Sequence, residues 1–142
     1  MRTAYKVVAH IIAAFVVVQA ALIAWGTFDV IGMITAGNVP EGPPLAGIMH
    51  GMVGMYVVPV LALVLLVIAL LAHAGLKWSL WLLLAVALQI SLAFMAFEVA
   101  WVGILHGLNA FAVIALAEVG ARAVAHAPVH VPHARKVMRP AV

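Results

Sequence analysis

The sequence predicts an all-α integral membrane protein: a four-transmembrane-helix up-down bundle made of two pseudo-symmetric helical hairpins. Three observations predict it. First, 68% of the 142 residues are hydrophobic and only 8% are charged, against roughly 25% charged in ordinary soluble domains. A soluble fold of this size cannot hide that much apolar surface, so its solvent is lipid. Second, four apolar stretches each reach the ~20 residues that a helix needs to cross a ~30 Å hydrocarbon core. Third, one short pattern opens both the second and the fourth stretch.

The spans are expected at residues 7–27, 45–73, 76–97 and 101–123. The first follows Arg2 and Lys6 like a signal peptide. Its apolar run is too long for one and contains His10 and Gln19, so it reads as a retained span. The loop at 28–44, with Gly32, Gly37, Gly42, Pro40, Pro43 and Pro44, suits a defined surface lid. The other loops are short, which sets consecutive helices antiparallel. Pro59 is expected to kink the second span. Trp25, Trp78, Trp81 and Trp101 fall near span ends, as interfacial aromatic residues do. The whole of 1–125 reads as one transmembrane domain, and 126–142 as a polar, His- and Pro-containing disordered tail.

The basic residues set an expected orientation. Arg2, Lys6, Lys77, Arg122, Arg135, Lys136 and Arg139 all fall before span one, between spans two and three, or at and after the end of span four. By the positive-inside rule both termini face the cytoplasm of a bacterial-type plasma membrane. The net charge of +3 then reflects anionic lipid headgroups and gives no case for nucleic acid. With no cysteine in the chain, disulfides, thiol catalysis, iron–sulfur clusters and covalent haem attachment are excluded. No nucleophile–base pair, phosphate loop or HExxH motif is present, so no catalytic residue is assigned.

The repeat is the most informative feature. Gly47-Ile48-Met49-His50-Gly51-Met52 matches Gly103-Ile104-Leu105-His106-Gly107-Leu108, and Gln19 and Gln89 hold loosely corresponding places in the preceding spans. Duplicated hairpins related by an axis along the membrane normal put His50 and His106 at one depth, on diagonal helices. With neighbouring helices ~10 Å apart, the diagonal is roughly 14 Å, wide enough for a flat cofactor held from both sides. An ionisable residue in a span marks a functional site by default, and imidazole is a good axial ligand to haem iron. Gly47, Gly51 and Gly54 beside His50, and Gly103 and Gly107 beside His106, would clear room for a macrocycle, edged by Tyr56, Phe94, Phe97, Trp101 and Phe111. The competing account is plain helix packing, since Gly47/Gly51 and Gly103/Gly107 are both GxxxG pairs.

Four helices with a His near one end of the second and the fourth resemble half of a haem A synthase, and small bis-histidine b-type membrane cytochromes. The resemblance covers about residues 7–123 and rests on helix order, His50 and His106. It implies one non-covalent haem b near the outer face, ligated by those two residues. Haem A synthases typically carry Arg after the ligand His, where this chain has Gly51, and often a cysteine pair that is missing here. Haem hydroxylation is therefore not carried over, and one-electron transfer to a quinol or another redox protein is the expected function.

Other polar residues have weaker claims. Gln19 and Gln89 are candidates to bond a ligand His, a propionate or a quinone, or simply a neighbouring helix. Asn109, one turn from His106, is a candidate to orient it. His10 and His73 are candidates for a second haem, although His10 also suits packing and His73 sits in turn chemistry. Glu118 and Arg122 are spaced as an ordinary i,i+4 pair. Met49, Met52 and Met55, and the tail His126, His130 and His133, favour copper binding as an alternative function. A cofactor-free accessory subunit, packed through its Gly and Ala faces in a larger complex or a homo-oligomer, is another.

Overall fold

The computed structural model describes residues 1–127. The tail histidines His130 and His133 and the expected disorder of the tail lie outside the described residues. Four helices are long and apolar enough to cross a membrane: α1 (Arg2–Thr35), α2 (Leu45–Ala72), α3 (Leu76–Glu98) and α4 (Val102–His126). The protein is an all-α integral membrane bundle of two hairpins, α1–α2 and α3–α4. Each helix packs chiefly on two neighbours: α1 on α2 and α4, and α3 on α2 and α4. That leaves α2 and α4 on one diagonal.

The first helix corrects the sequence reading. It runs two turns past the expected end at residue 27, and the lid shrinks to residues 36–44. The physical reason is the position of the stop signal. Asn38 N–H bonds the Met33 carbonyl and Gly37 N–H the Ile34 carbonyl, while Gly37 takes φ +79°. This is a Schellman termination with glycine in its left-handed position, and nothing before it breaks the helix. Thr27 and Thr35 return their hydroxyls to the carbonyls of Ile23 and Ile31, so neither competes with the helix. At 34 residues and 1.5 Å per residue, α1 is about 50 Å long and projects beyond a hydrocarbon core.

Pro59 acts differently from a simple kink. The five residues Val53–Val57 form a π-helical turn just before it, with the Val58 N–H bonded to the Val53 carbonyl. Proline has no N–H for the carbonyl one turn back and its ring crowds that carbonyl. The extra residue in the turn absorbs the mismatch. The α2–α3 turn repeats the Schellman pattern, with Ala74 N–H on the Ala69 carbonyl and His73 N–H on that of Leu70. Here a histidine, at φ 49°, occupies the position glycine favours.

The buried core fills only half the bundle. Tyr5, Ile12, Leu65, Leu82, Val113 and Val124 are its largest fully buried apolar side chains. All lie between the terminal end, which carries Arg2, Lys6, Lys77 and Arg122, and the level of Gln19, His50, Gln89 and His106. Tyr5 is tied in by donating to the Gly75 carbonyl at 3.3 Å and accepting from Ser79 at 3.1 Å. Beyond the histidine level, toward the 36–44 loop, burial is confined to Gly26, Ala46, Leu92 and Val102. The histidines therefore sit where a closed core gives way to a looser end.

Candidate functional site: a paired histidine layer

Each hairpin builds the same joint. In the first, Gln19 Nε2 donates to the His50 carbonyl at 2.8 Å, and His50 Nδ1 bonds the Gln19 carbonyl at 3.0 Å. In the second, Gln89 Nε2 donates to the His106 carbonyl at 3.0 Å, and His106 Nδ1 bonds the Gln89 carbonyl at 3.0 Å. The repeat in the sequence is thus a repeat in hydrogen bonding, with glutamine and histidine exchanging bonds across each helix pair. The glutamines touch the histidine residues themselves, chiefly through the backbone.

These bonds fix the tautomers. A backbone carbonyl only accepts, so both Nδ1 atoms carry hydrogen. The neutral ring then presents a lone pair at Nε2. An Nδ1–H bound to a backbone carbonyl is also the outer-shell contact that orients a metal-ligating histidine.

The two rings face each other across the diagonal. Their centroids are 6.2 Å apart and their planes tilt by 59°. A metal–imidazole bond of about 2 Å, extended by roughly 1.1 Å to the ring centre, places two imidazoles on opposite sides of one metal about 6 Å apart. Two imidazoles on a tetrahedral ion would be nearer, at roughly 5 Å. The observed 6.2 Å is within the range for two imidazoles that would share one ion. Both rings are half-buried.

The glycines divide into two groups. A Cβ on Gly51 or Gly107 would meet nothing within 4 Å, and one on Gly103 only Ala96 at 3.9 Å. At these three positions the helix surface is uncovered. Gly54 and Gly47 lie in packing contacts instead. A Gly54 Cβ would stand 2.7 Å from Gln19 Nε2, and Gly47 lies against Pro44 and the close approach of Gly26. The aromatic edge does not close around the rings: Phe97 and Phe111 are 84% and 71% exposed, and Tyr56, Phe94 and Trp101 are exposed as well.

Asn109 is where the two joints differ. Its Nδ2 donates to Gln89 Oε1 at 2.7 Å and to the Ala85 carbonyl at 2.8 Å. It holds Gln89, not His106 directly, and the Gln89 amide in turn lies 3.1 Å from His106 Nε2. The corresponding place in the first hairpin is Val53. Gln19 Oε1 is consequently buried without a partner. A signal for this was present in the sequence as Asn109 against Val53 in the aligned repeats.

Two other expectations change. Glu118 meets His10 at 2.9 Å across the α1–α4 interface, and no ion pair joins it to Arg122 among the described residues. His10 is exposed rather than packed against its own helix. His73 caps α2 at the turn, so nothing brings it to His10 as a second ligand pair. Met49, Met52 and Met55 are all exposed. Among the described residues no group of three His, Asp or Glu side chains gathers to hold a metal ion.

Fold and site together define a four-helix membrane bundle with a paired histidine layer. Compared with known protein families, curated proteins and solved structures, the chain matches none.

Proposed function

We propose that the protein is a membrane b-type haem protein carrying out one-electron transfer, with His50 and His106 as the two axial ligands. The observation that carries this reading is the pair of imidazoles 6.2 Å apart, each with Nδ1 committed to a backbone carbonyl, so that Nε2 is the atom that would ligate, on His106 in place of its contact with the Gln89 amide. A Cβ on Gly51 or Gly107 would meet nothing within 4 Å, so neither position obstructs a macrocycle. With both axial positions filled by protein, the iron has no site for oxygen and the default chemistry is a single electron. The partner is a quinol or another redox protein.

Charge supports an orientation. Arg2, Lys6, Lys77 and Arg122 lie toward one end of the bundle, which under the positive-inside rule would be the cytoplasmic end, with the histidine layer toward the outer leaflet. Near that layer there is no Lys or Arg among the described residues, and Asp29, Glu41 and Glu98 lie toward the same end. The haem propionates would therefore be neutralised by water and counterions at the interface.

The test is a reduced-minus-oxidised absorption spectrum of protein purified in detergent from haem-replete cells. A sharp b-type α band in wild type, lost in both His50→Ala and His106→Ala, is the expected result. A colourless wild type overturns the proposal.

A further inference from the structure

The internal repeat gives the bundle two matching lateral grooves, α1 against α4 and α3 against α2, and their chemistry differs. Aligning Gln19 with Gln89 sets Lys6 and His10 against Leu76 and Leu80, and the buried Ala9 and Ile12 fall on the buried Ser79 and Leu82. In α2 the π-helical turn takes up one extra residue. Beyond it the buried Val113, Ala117, Gly120 and Val124 fall on the buried Val58, Ala62, Leu65 and Ala69. Glu118 and Arg122 then match Leu63 and Val67. Leu63, Val67, Leu76 and Leu80 are all exposed, as lipid-facing side chains are. The fold is thus satisfied by apolar residues at these four places, yet the α1–α4 groove carries Lys6, His10, Glu118 and Arg122.

We propose that this groove binds the headgroup of an anionic phospholipid, with Lys6 and Arg122 on its phosphate. Arg2 donates to the Ala127 carbonyl at 2.6 Å and His10 meets Glu118 at 2.9 Å. Antiparallel α1 and α4 therefore bring Lys6 and Arg122 to one level between these contacts. Glu118 is engaged by His10, and among the described residues neither Lys6 nor Arg122 has a hydrogen-bond or ion-pair partner for its side chain. Residues 128–142 contain Arg135, Lys136 and Arg139 and no Asp or Glu. Two cations on a lipid-exposed face need an anion, and basic grooves between membrane helices take it from lipid headgroups. The depth agrees. A ~30 Å core beginning at Lys6 ends near Gly26, so the two bases stand at the headgroup level and His10 about 6 Å deeper. Past that pair the small, exposed Ala14 and Ala115 leave room for an acyl chain. The His10–Glu118 contact holds α1 on α4 and so keeps the two bases level. A second copy of the chain meeting this face about a two-fold axis would set four bases together, so the charges favour the lipid. The proposal stands independently of the haem reading.

The experiment is native mass spectrometry of the full chain in detergent micelles, titrated with phosphatidylglycerol or with phosphatidylcholine of the same acyl chains. Wild type should retain one phosphatidylglycerol at least about tenfold more tightly than phosphatidylcholine. Lys6→Leu and Arg122→Val give the groove the side chains of its apolar counterpart, which the fold already accepts. Each should weaken phosphatidylglycerol about fivefold and leave phosphatidylcholine unchanged. Lys77→Leu removes a base from α3, outside this groove, and should match wild type. If either apolar variant does not fold, Lys6→Gln and Arg122→Gln decide, with the same loss expected. Equal retention of the two lipids by wild type overturns the proposal. So does an equal loss in Lys77→Leu, or a lipid-free dimer in place of the lipid-bound chain.

Discussion

Asn109 donates to Gln89 Oε1 over 2.7 Å, and nothing donates to the matching oxygen of Gln19. Two joints built from the same glutamine–histidine exchange thus differ by a single side chain, Asn109 in one and Val53 in the other. An unpaired buried polar atom costs about 1–3 kcal/mol. Asn109→Val should therefore destabilise the bundle by roughly that amount. Val53→Asn should recover about 1 kcal/mol at most, because it gives up apolar packing as it supplies a donor. Reversible unfolding of the detergent-solubilised protein measures both. Equal stabilities for wild type and Asn109→Val would show that the relay does not hold the fold.

The glycines around the rings separate packing from space. Gly54→Ala places a Cβ 2.7 Å from Gln19 Nε2 and should cost about 1–3 kcal/mol as the amide is pushed off the His50 carbonyl. Gly51→Leu and Gly107→Leu meet open space and should fold normally. If the porphyrin occupies that space, both should lose haem several-fold, read as the haem-to-protein absorbance ratio. Full haem content in both would move the macrocycle elsewhere.

The turns offer a stability contrast. Gly37 and Gly75 both hold positive φ, at 79° and 80°, so alanine strains either backbone by about 1 kcal/mol. At Gly75 the added Cβ would also stand 2.6 Å from Val124 Cγ2 and 2.8 Å from the Tyr5 ring. Gly75→Ala should cost about 2–4 kcal/mol in total, and Gly37→Ala only the strain. Thermal unfolding of the two variants side by side checks this, and a Gly37→Ala loss as large as that at Gly75 would contradict it.

Orientation can be read with one thiol, since the native chain has none. Asn38→Cys, in the 36–44 loop, should react with a membrane-impermeant maleimide applied outside intact cells. A cysteine introduced at Lys77, in the first turn of α3, should react only after lysis. The opposite pattern would invert the bundle.

The membrane class, the four spans and the matched depth of His50 and His106 were legible in the linear chain. Lipid solvation is a matter of composition, and a duplicated hairpin carries its symmetry in the sequence. The end of α1 was not legible, because Gly32, Gly37 and Gly42 all offer a stop in the linear chain and only Gly37 takes the left-handed backbone that ends the helix. The pairing of His10 with Glu118 was not, because it joins residues 108 positions apart on α1 and α4, and side-chain reach across an interface depends on how the helices are rotated.

Sequence alone determined that two histidines lie at one level in a lipid-embedded bundle, because hydrophobic length and an internal repeat fix depth. Only the tertiary structure decided that their rings face each other at 6.2 Å, that each Nδ1 is spent on a glutamine carbonyl, and that Gln89 but not Gln19 reaches its partner's Nε2. Those outcomes depend on helix rotation and on directional hydrogen bonds between separate helices. Burial along a span constrains neither.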